Sequence, residues 1–332
     1  MKTKFTYCVL VAMLVVVAPS VKSQDFHLSQ YDMAPLYMNP ALAGQYMGEK
    51  GDFRMMANYR SQWQKLQSKP YSTSAFAFDR PIGRFGAGIF LMDNLAGRSN
   101  LNTFNCMIGG SYQITSQESK THYLITGIQV GVVNKKFGDN DLLFTSQYNS
   151  NSGLDAALDN GENFQKFSKL NFDSNLGMFY KYRSVTNTIN PFIGFSIYHV
   201  NKPNQAVNGQ KSKMPMRFNM NLGVDYHINE SLYFQPMLLY MYQGKAHELD
   251  MGMLAYFRMQ GTQYDLIAGL SYRVKDAVVL NAGIKQAQST FRISYDIVTN
   301  HSLKVYSGKR GGMELGVIYT GFSKEKKVVQ WQ

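Results

Sequence analysis

From Leu170 to Phe322 apolar and polar residues alternate in long runs, parted by short turns and longer polar stretches. Met214, Met216, Phe218, Met220, Leu222, Val224, Tyr226 and Ile228 share one parity, opposed by Pro215, Arg217, Asn219, Asn221, Gly223, Asp225 and His227. Successive strand side chains point to opposite faces, so such a run has one apolar and one polar wall. Soluble strands usually end after about five or six residues. Runs of roughly ten or more, apolar on one side only, are how a closed membrane β-barrel is written. A second run, from Leu170 to Arg183, ends in tyrosines, as an interfacial aromatic girdle would.

Period-two runs bounded by turn residues predict about fourteen strands. They cover approximately 51–61, 70–80, 85–93, 101–114, 122–137, 170–183, 188–200, 213–228, 231–243, 245–258, 263–274, 276–286, 289–298 and 311–322. Even-numbered strands are followed by short links such as Pro81 to Arg84 and Ala287-Gln288. All the long links, including Gly138 to Lys169, follow odd-numbered ones. The expected fold is therefore an all-β, antiparallel, transmembrane outer-membrane β-barrel, with short turns and both termini in the periplasm and long loops outside. The Gly138 to Lys169 segment reads as a surface loop with one helical turn around Leu154 to Leu158.

Residues 1–23 read as a secretory signal peptide: a basic Met-Lys-Thr-Lys, an apolar run from Tyr7 to Ala18, and a cleavage site before Gln24. The apolar run is too short for a membrane anchor, and no later segment reaches the roughly eighteen apolar residues of a spanning helix. Loss of the leader removes Cys8 and leaves Cys106 alone, so no intrachain disulfide or cysteine metal cluster is expected. The formal charge is +12, and the leader accounts for Lys2, Lys4 and Lys22. The basic residues are scattered, which argues against nucleic acid. Contact with outer-membrane lipid and lipopolysaccharide or an acidic partner, and a merely solvated surface, both fit the excess. Residues 24–50 are expected to form a non-strand segment, periplasmic or plugging the lumen, and residues 51–332 a single barrel.

That segment carries the most distinctive text: Gln24-Asp25-Phe26-His27-Leu28-Ser29-Gln30-Tyr31, then Pro35-Leu36-Tyr37-Met38-Asn39-Pro40-Ala41-Leu42-Ala43-Gly44. Further on stand Tyr59-Arg60-Ser61-Gln62-Trp63, Asp93-Asn94 with Gly97 and Ser99, Ser294-Tyr295-Asp296, and Gly312-Met313-Glu314-Leu315 before Tyr319. Taken in order, these resemble the PorP/SprF family, outer-membrane proteins associated with the type IX secretion system and gliding motility of Bacteroidota. The resemblance implies a fourteen-stranded barrel that supports secretion of, or retains, an adhesin-type surface protein. Its implied partners are that protein's C-terminal domain, periplasmic secretion subunits, or both.

Two groups of residues are candidate sites. Ser29, Gln30, Tyr31, Asn39, Pro40, Ala41 and Gly44 form a candidate plug or docking motif. Proline restricts Asn39 and Gly44 permits unusual backbone, so a capped start to the first strand is the plainer reading. Tyr31, Tyr37 and Tyr46 are placed to pack this segment on the inner wall. Arg217, Asp225, Asp265, Arg273, Arg292, Asp296 and Glu314 form a candidate lumen charge network, joined by Arg54, Arg60, Asp173 and Arg183. They either pair across a filled lumen or line a wet pore and set its selectivity.

No catalytic, cofactor or metal site is expected. His199 and His247 read as ordinary histidines of the outer rim, and His247 and Glu248 point to opposite strand faces. An interaction protein fits the polar inner faces best. The alternative is an outer-membrane channel for small or hydrophobic solutes, resembling the fourteen-stranded fatty-acid channels whose N-terminal hatch carries Asn-Pro-Ala.

Overall fold

The computed structural model describes residues 25–47, 51–62, 71–97, 101–116, 119–136, 145–149, 153–155, 158, 168–206, 212–300 and 310–323. The expected signal peptide, Gln24, the end of the chain and most of the long connections lie outside them. Fourteen antiparallel strands close into one barrel. They are β1 (Phe53–Gln62), β2 (Tyr71–Ile82), β3 (Phe85–Ala96), β4 (Leu101–Gln113), β5 (His122–Lys136), β6 (Ser168–Tyr182) and β7 (Ile189–Tyr198), followed by β8 (Arg217–His227), β9 (Leu232–Gln243), β10 (Ala246–Arg258), β11 (Tyr264–Arg273), β12 (Ala277–Gln286), β13 (Ser289–Val298) and β14 (Arg310–Gly321).

Each strand pairs with its chain neighbours, and β1 pairs with β14 from Phe53↔Gly321 to Gln62↔Gly312. Closure leaves no sheet edge, so every strand can place its backbone donors and acceptors in the ladder, as hydrocarbon surroundings demand. No helix among the described residues is long and apolar enough to cross a membrane. The strands run from 10 to 15 residues, enough to cross a bilayer at a tilt.

The period-two pattern becomes an outside and an inside. Leu170, Phe172, Leu176 and Met178 of β6 are exposed, whereas Asp173 and Asn175 between them are buried. On β8, Phe218 and Tyr226 face out while Arg217, Asn219 and Asn221 are buried inside. The apolar belt thus faces outward and the polar residues face the lumen.

Two boundaries differ from the sequence reading for identifiable reasons. Strand β8 starts at Arg217 rather than near 213, because Pro215 has no N–H for the ladder. Strand β7 stops at Tyr198 because His199 takes a left-handed backbone, φ 58°. Between β5 and β6 there is no helix at Leu154. Instead a 3₁₀ turn covers Thr145–Gln147 and Tyr148–Asn149 pairs with Gly153–Leu154, while a single turn is closed by Leu158 N–H donating to Asp155 O. Short connections follow even-numbered strands and the longest ones follow odd-numbered strands, so the barrel has a short-turn end, where β1 begins and β14 ends, and a long-loop end.

The apolar core is inside the barrel. Leu28, Tyr31, Leu36, Tyr37, Ala41 and Leu42 of the N-terminal segment pack against inward residues such as Met56, Ala77, Phe90, Met107, Ile125 and Phe179.

Candidate functional site

The N-terminal segment threads the lumen from end to end. Asp25 N–H donates to Gln243 Oε1 (2.8 Å) and its carboxylate meets His199 and Arg217, all at long-loop strand ends. At the other end Arg183, just after β6, donates to the Met47 carbonyl, and the Tyr46 hydroxyl donates to the Asp79 carbonyl. The first strand begins and the last strand ends at the short-turn end. Asp25, however, lies at the long-loop end.

Between these points the segment forms a 3₁₀ turn at Tyr31–Met33, one α-helical turn at Pro35–Met38 and a second 3₁₀ turn at Pro40–Leu42. Pro35 and Pro40 open their turns at positions where a missing N–H costs nothing. Asn39 caps the last turn: its Oδ1 accepts from Ala41 N–H at 2.9 Å. Its Nδ2 donates to the carbonyls of Met178 (3.0 Å) and Phe195 (3.2 Å), register partners on β6 and β7. Glycine makes this seat possible. A Cβ on Gly127 would meet the Ala41 backbone at 2.5 Å, and one on Gly86 or Gly177 would collide with Ala43 or Asn39. Gly44 leaves the turn at φ 61° and donates to Asp79 Oδ2.

Three ionic clusters fasten the segment to the wall. In the first, Arg60 and Arg273 share Asp296 (2.7 Å each), and Arg60 also meets Glu314 (3.2 Å). All four are buried. Ser29 N–H donates to Glu314 at 2.7 Å, Ser29 Oγ donates to Asp296 at 2.9 Å, and Gln30 Nε2 donates to the Glu314 carbonyl at 2.9 Å. Two arginines thus face two carboxylates, with the segment's polar groups filling remaining valences, the condition under which buried charges are tolerated.

In the second, His199 stands between Asp173 (2.7 Å) and Asp25 (2.8 Å), and Arg217 also reaches Asp25 (3.0 Å). Burial alone would push the imidazole down, but the two carboxylates outweigh it and lift His199 to about 9. Burial likewise pushes Asp25 up, and His199 and Arg217 outweigh it, holding its carboxyl down at about 2. In the third, Arg54 pairs with Asp79 at 2.6 Å and donates to the Leu42 carbonyl.

The candidate charge residues therefore do not form one network. Arg273, Asp296 and Glu314 come together with Arg60. Arg217 belongs to the His199 cluster, Arg292 pairs with Asp32 of the segment, Asp225 with Lys181, and Asp265 with the outlying Arg258. His199 does sit at the long-loop rim, but its left-handed backbone breaks the strand parity and turns the ring inward to Asp25 and Asp173. Of the candidate plug residues, Ser29 and Gln30 contact β13 and β14, Ser29 also meeting Arg60 of β1, and Asn39 to Gly44 contact β1 to β7. Tyr31 is buried in the core. Asp25, Asp32 and His27, which meets Glu248 at 3.2 Å, escaped the sequence reading because nothing in local spacing marks their partners.

The segment leaves a cavity of about 370 Å³ on its short-turn side, bordered by Tyr31 and Met33. Another of about 290 Å³ lies on its long-loop side, bordered by His27 and Asp296. The two share no lining residue.

Among solved structures the chain is similar to the Ralstonia pickettii toluene transporter TbuX, at 14% identity and a TM-score of 0.54, covering 87% of this chain and 94% of that one. It is also similar to the Pseudomonas putida toluene transporter TodX, at 12% identity and a TM-score of 0.51, covering 90% and 95%. At these identities the likeness concerns the outer-membrane barrel fold alone. A comparison with curated proteins found no match. A family model described as "Type IX secretion system membrane protein PorP/SprF" matches residues 20–319.

Proposed function

The chain belongs to the PorP/SprF family of type IX secretion system membrane proteins, and from that premise we propose that it is an outer-membrane docking platform rather than a conduit. In this reading it anchors, or supports secretion of, an adhesin-type surface protein, with periplasmic secretion subunits as further partners. The short turns, the start of β1 and the end of β14 face the periplasm, and the long connections face outward, as barrels of this class arrange them. Its excess positive charge meets acidic partners and anionic lipopolysaccharide.

The observation that carries this reading is the filled lumen. A hydrophobic-solute channel needs a continuous apolar passage. Here Ser29, Gln30, Asn39 and Arg60 cross-link the segment to opposite walls, with a separate cavity on either side. Glycine at the seat lets backbone pack on backbone, which suits a permanent strut between the two ends better than a removable hatch. Deleting the gene tests the proposal. One surface protein should disappear from the cell exterior while uptake of small solutes stays unchanged. Reduced solute uptake with an intact surface proteome would refute it.

A further inference from the structure

Closure removes sheet edges only along the height that neighbouring strands share, and β6 outruns β7. Strand β6 pairs with β5 along its whole length, from Lys136↔Ser168 to His122↔Tyr182. On its other side the β7 register runs only from Lys181↔Phe192 to Leu176↔Ile197, and Val200 N–H adds one last bond to the Ser174 carbonyl. The carboxamide of Asn201 then takes the place of a further peptide group: its Oδ1 accepts from Ser174 N–H at 3.2 Å and its Nδ2 donates to the Phe172 carbonyl at 2.6 Å. Past that point the chain leaves β6. Asn204 bridges to Lys213, and Gln205 and Ala206 accept from Lys135 and Lys169 on the inner face.

Ser168 to Phe172 are thereby left with an open edge. In an antiparallel ladder a residue directs its N–H and C=O to one neighbour, and the next residue directs both to the other. Ser174 turns toward β7, so Phe172, Leu170 and Ser168 turn the same way. Among the described residues the N–H of Phe172 and both backbone groups of Leu170 and Ser168 meet no partner on that side. The side chains beside this edge are apolar and face outward, Leu170 at 65% and Phe172 at 57% exposure. No proline blocks it. Leu170 stands ten residues from Tyr180 along β6. At about 3.4 Å per residue and a tilt of about 40°, that is a climb of roughly 26 Å, matching the apolar band of about 25 Å. The edge therefore stands at the long-loop boundary of the membrane, within reach of a chain arriving from that side.

We propose that this edge accepts an extended segment of the docked surface protein as an added antiparallel strand, with apolar side chains of the segment beside Leu170 and Phe172. Only an extended polypeptide offers N–H and C=O groups at the ladder spacing, and lipid offers none. A second copy is excluded by geometry: barrels side by side in one membrane cross their facing strands at about twice the strand tilt, roughly 70–90°, which no ladder spans. The site deepens the docking reading above and rests on it, since it gives that platform a recognition edge on its long-loop face.

The test uses the purified protein in lipid nanodiscs and a fluorescein-labelled octapeptide of alternating Val and Ser. With its valines outward, beside Leu170 and Phe172, the valine N–H groups point to β6 and the serine N–H groups point away. Methylating the valine nitrogens should therefore abolish binding, and methylating the serine nitrogens should leave it in place. Leu170→Pro removes an N–H that the barrel ladder does not use, a change that edge strands tolerate. It should abolish binding in a barrel whose heat-shifted gel migration is unchanged, whereas Lys245→Ala, on the β9–β10 link, should change nothing. Amide exchange gives an independent readout. Without peptide, Leu170 and Phe172 should exchange at least about tenfold faster than Asn171, whose N–H is turned to β5, and peptide at about nine times its Kd should slow them about tenfold. Absence of binding, equal loss with both methylated peptides, full binding by folded Leu170→Pro, or Leu170 and Phe172 already protected without peptide overturns the site. In cells, a surface protein lost on gene deletion but kept at full level in Leu170→Pro overturns the site and leaves the docking reading intact, whereas its retention in the gene deletion itself refutes both.

Discussion

Replacing Asn39 by alanine should loosen the middle of the N-terminal segment without opening the barrel. The side chain is fully buried and makes three hydrogen bonds, to Ala41 N–H at 2.9 Å and to the Met178 and Phe195 carbonyls at 3.0 and 3.2 Å. At about 1 kcal/mol net for each, the loss is about 3 kcal/mol. Divided by 1.4 kcal/mol per tenfold, that is roughly a hundredfold in the opening equilibrium. The two carbonyls are strand acceptors with a second lone pair, so their abandonment adds little. Hydrogen exchange resolved by mass spectrometry reads the effect directly. Amides of Ala41, Leu42 and Ala43 should exchange roughly a hundredfold faster in Asn39→Ala, while ladder amides of β5 and β6 keep their protection. Asn39→Asp at pH 8, which turns the donor toward two carbonyls into a further acceptor, should loosen the segment at least as much. Unchanged protection of residues 41–43 in both variants would refute the claim that Asn39 holds the segment in place.

The seat itself predicts that Gly127→Val, whose Cβ would meet Ala41 at 2.5 Å, destabilises by about 1–3 kcal/mol, whereas Gly110→Ala, with its nearest atom 3.9 Å away, is neutral. Urea midpoints of the two variants check this. Arg60→Met strands Glu314 in the lumen and leaves Asp296 to Arg273 alone, and should cost about 3–5 kcal/mol, with partial recovery in the double variant carrying Glu314→Gln. The His199 cluster predicts a pH window. His199, raised from 6.5 to about 9, contributes fully below pH 6.5 and loses its contribution as pH rises through 9. Asp25, lowered from 3.8 to about 2, contributes above pH 3.8 and loses its contribution as pH falls through 2. Unfolding midpoints should therefore decline on the alkaline side in the native protein, and Asp25 amide protection with them, but not in His199→Gln.

The barrel was legible because its strands carry their own evidence: alternation gives the strand, the turn residues give its end, and the parity of long and short links gives the two rims. The lumen was not legible in the same way. Ser29 meets Glu314 across 285 positions and Asn39 meets Met178 across 139, and no local period encodes such distances. Parity placed Arg273, Asp296 and Glu314 on one inner wall but could not say that Arg60 joins them while Arg292 turns to Asp32. His199 shows where parity fails outright: a left-handed residue just past a strand end reverses the face that counting by twos assigns. Gly127 and Gly177 read as ordinary strand glycines until the segment they accommodate is placed against them.

The most direct test of the docking account is isolation of the native protein from the outer membrane under mild detergent, with its companions identified by mass spectrometry and the same preparation assayed for solute flux in vesicles. The account predicts recovery of a secreted surface protein or periplasmic secretion subunits, and vesicles that stay tight to small solutes. A solitary barrel that carries solutes across the vesicle membrane would contradict it.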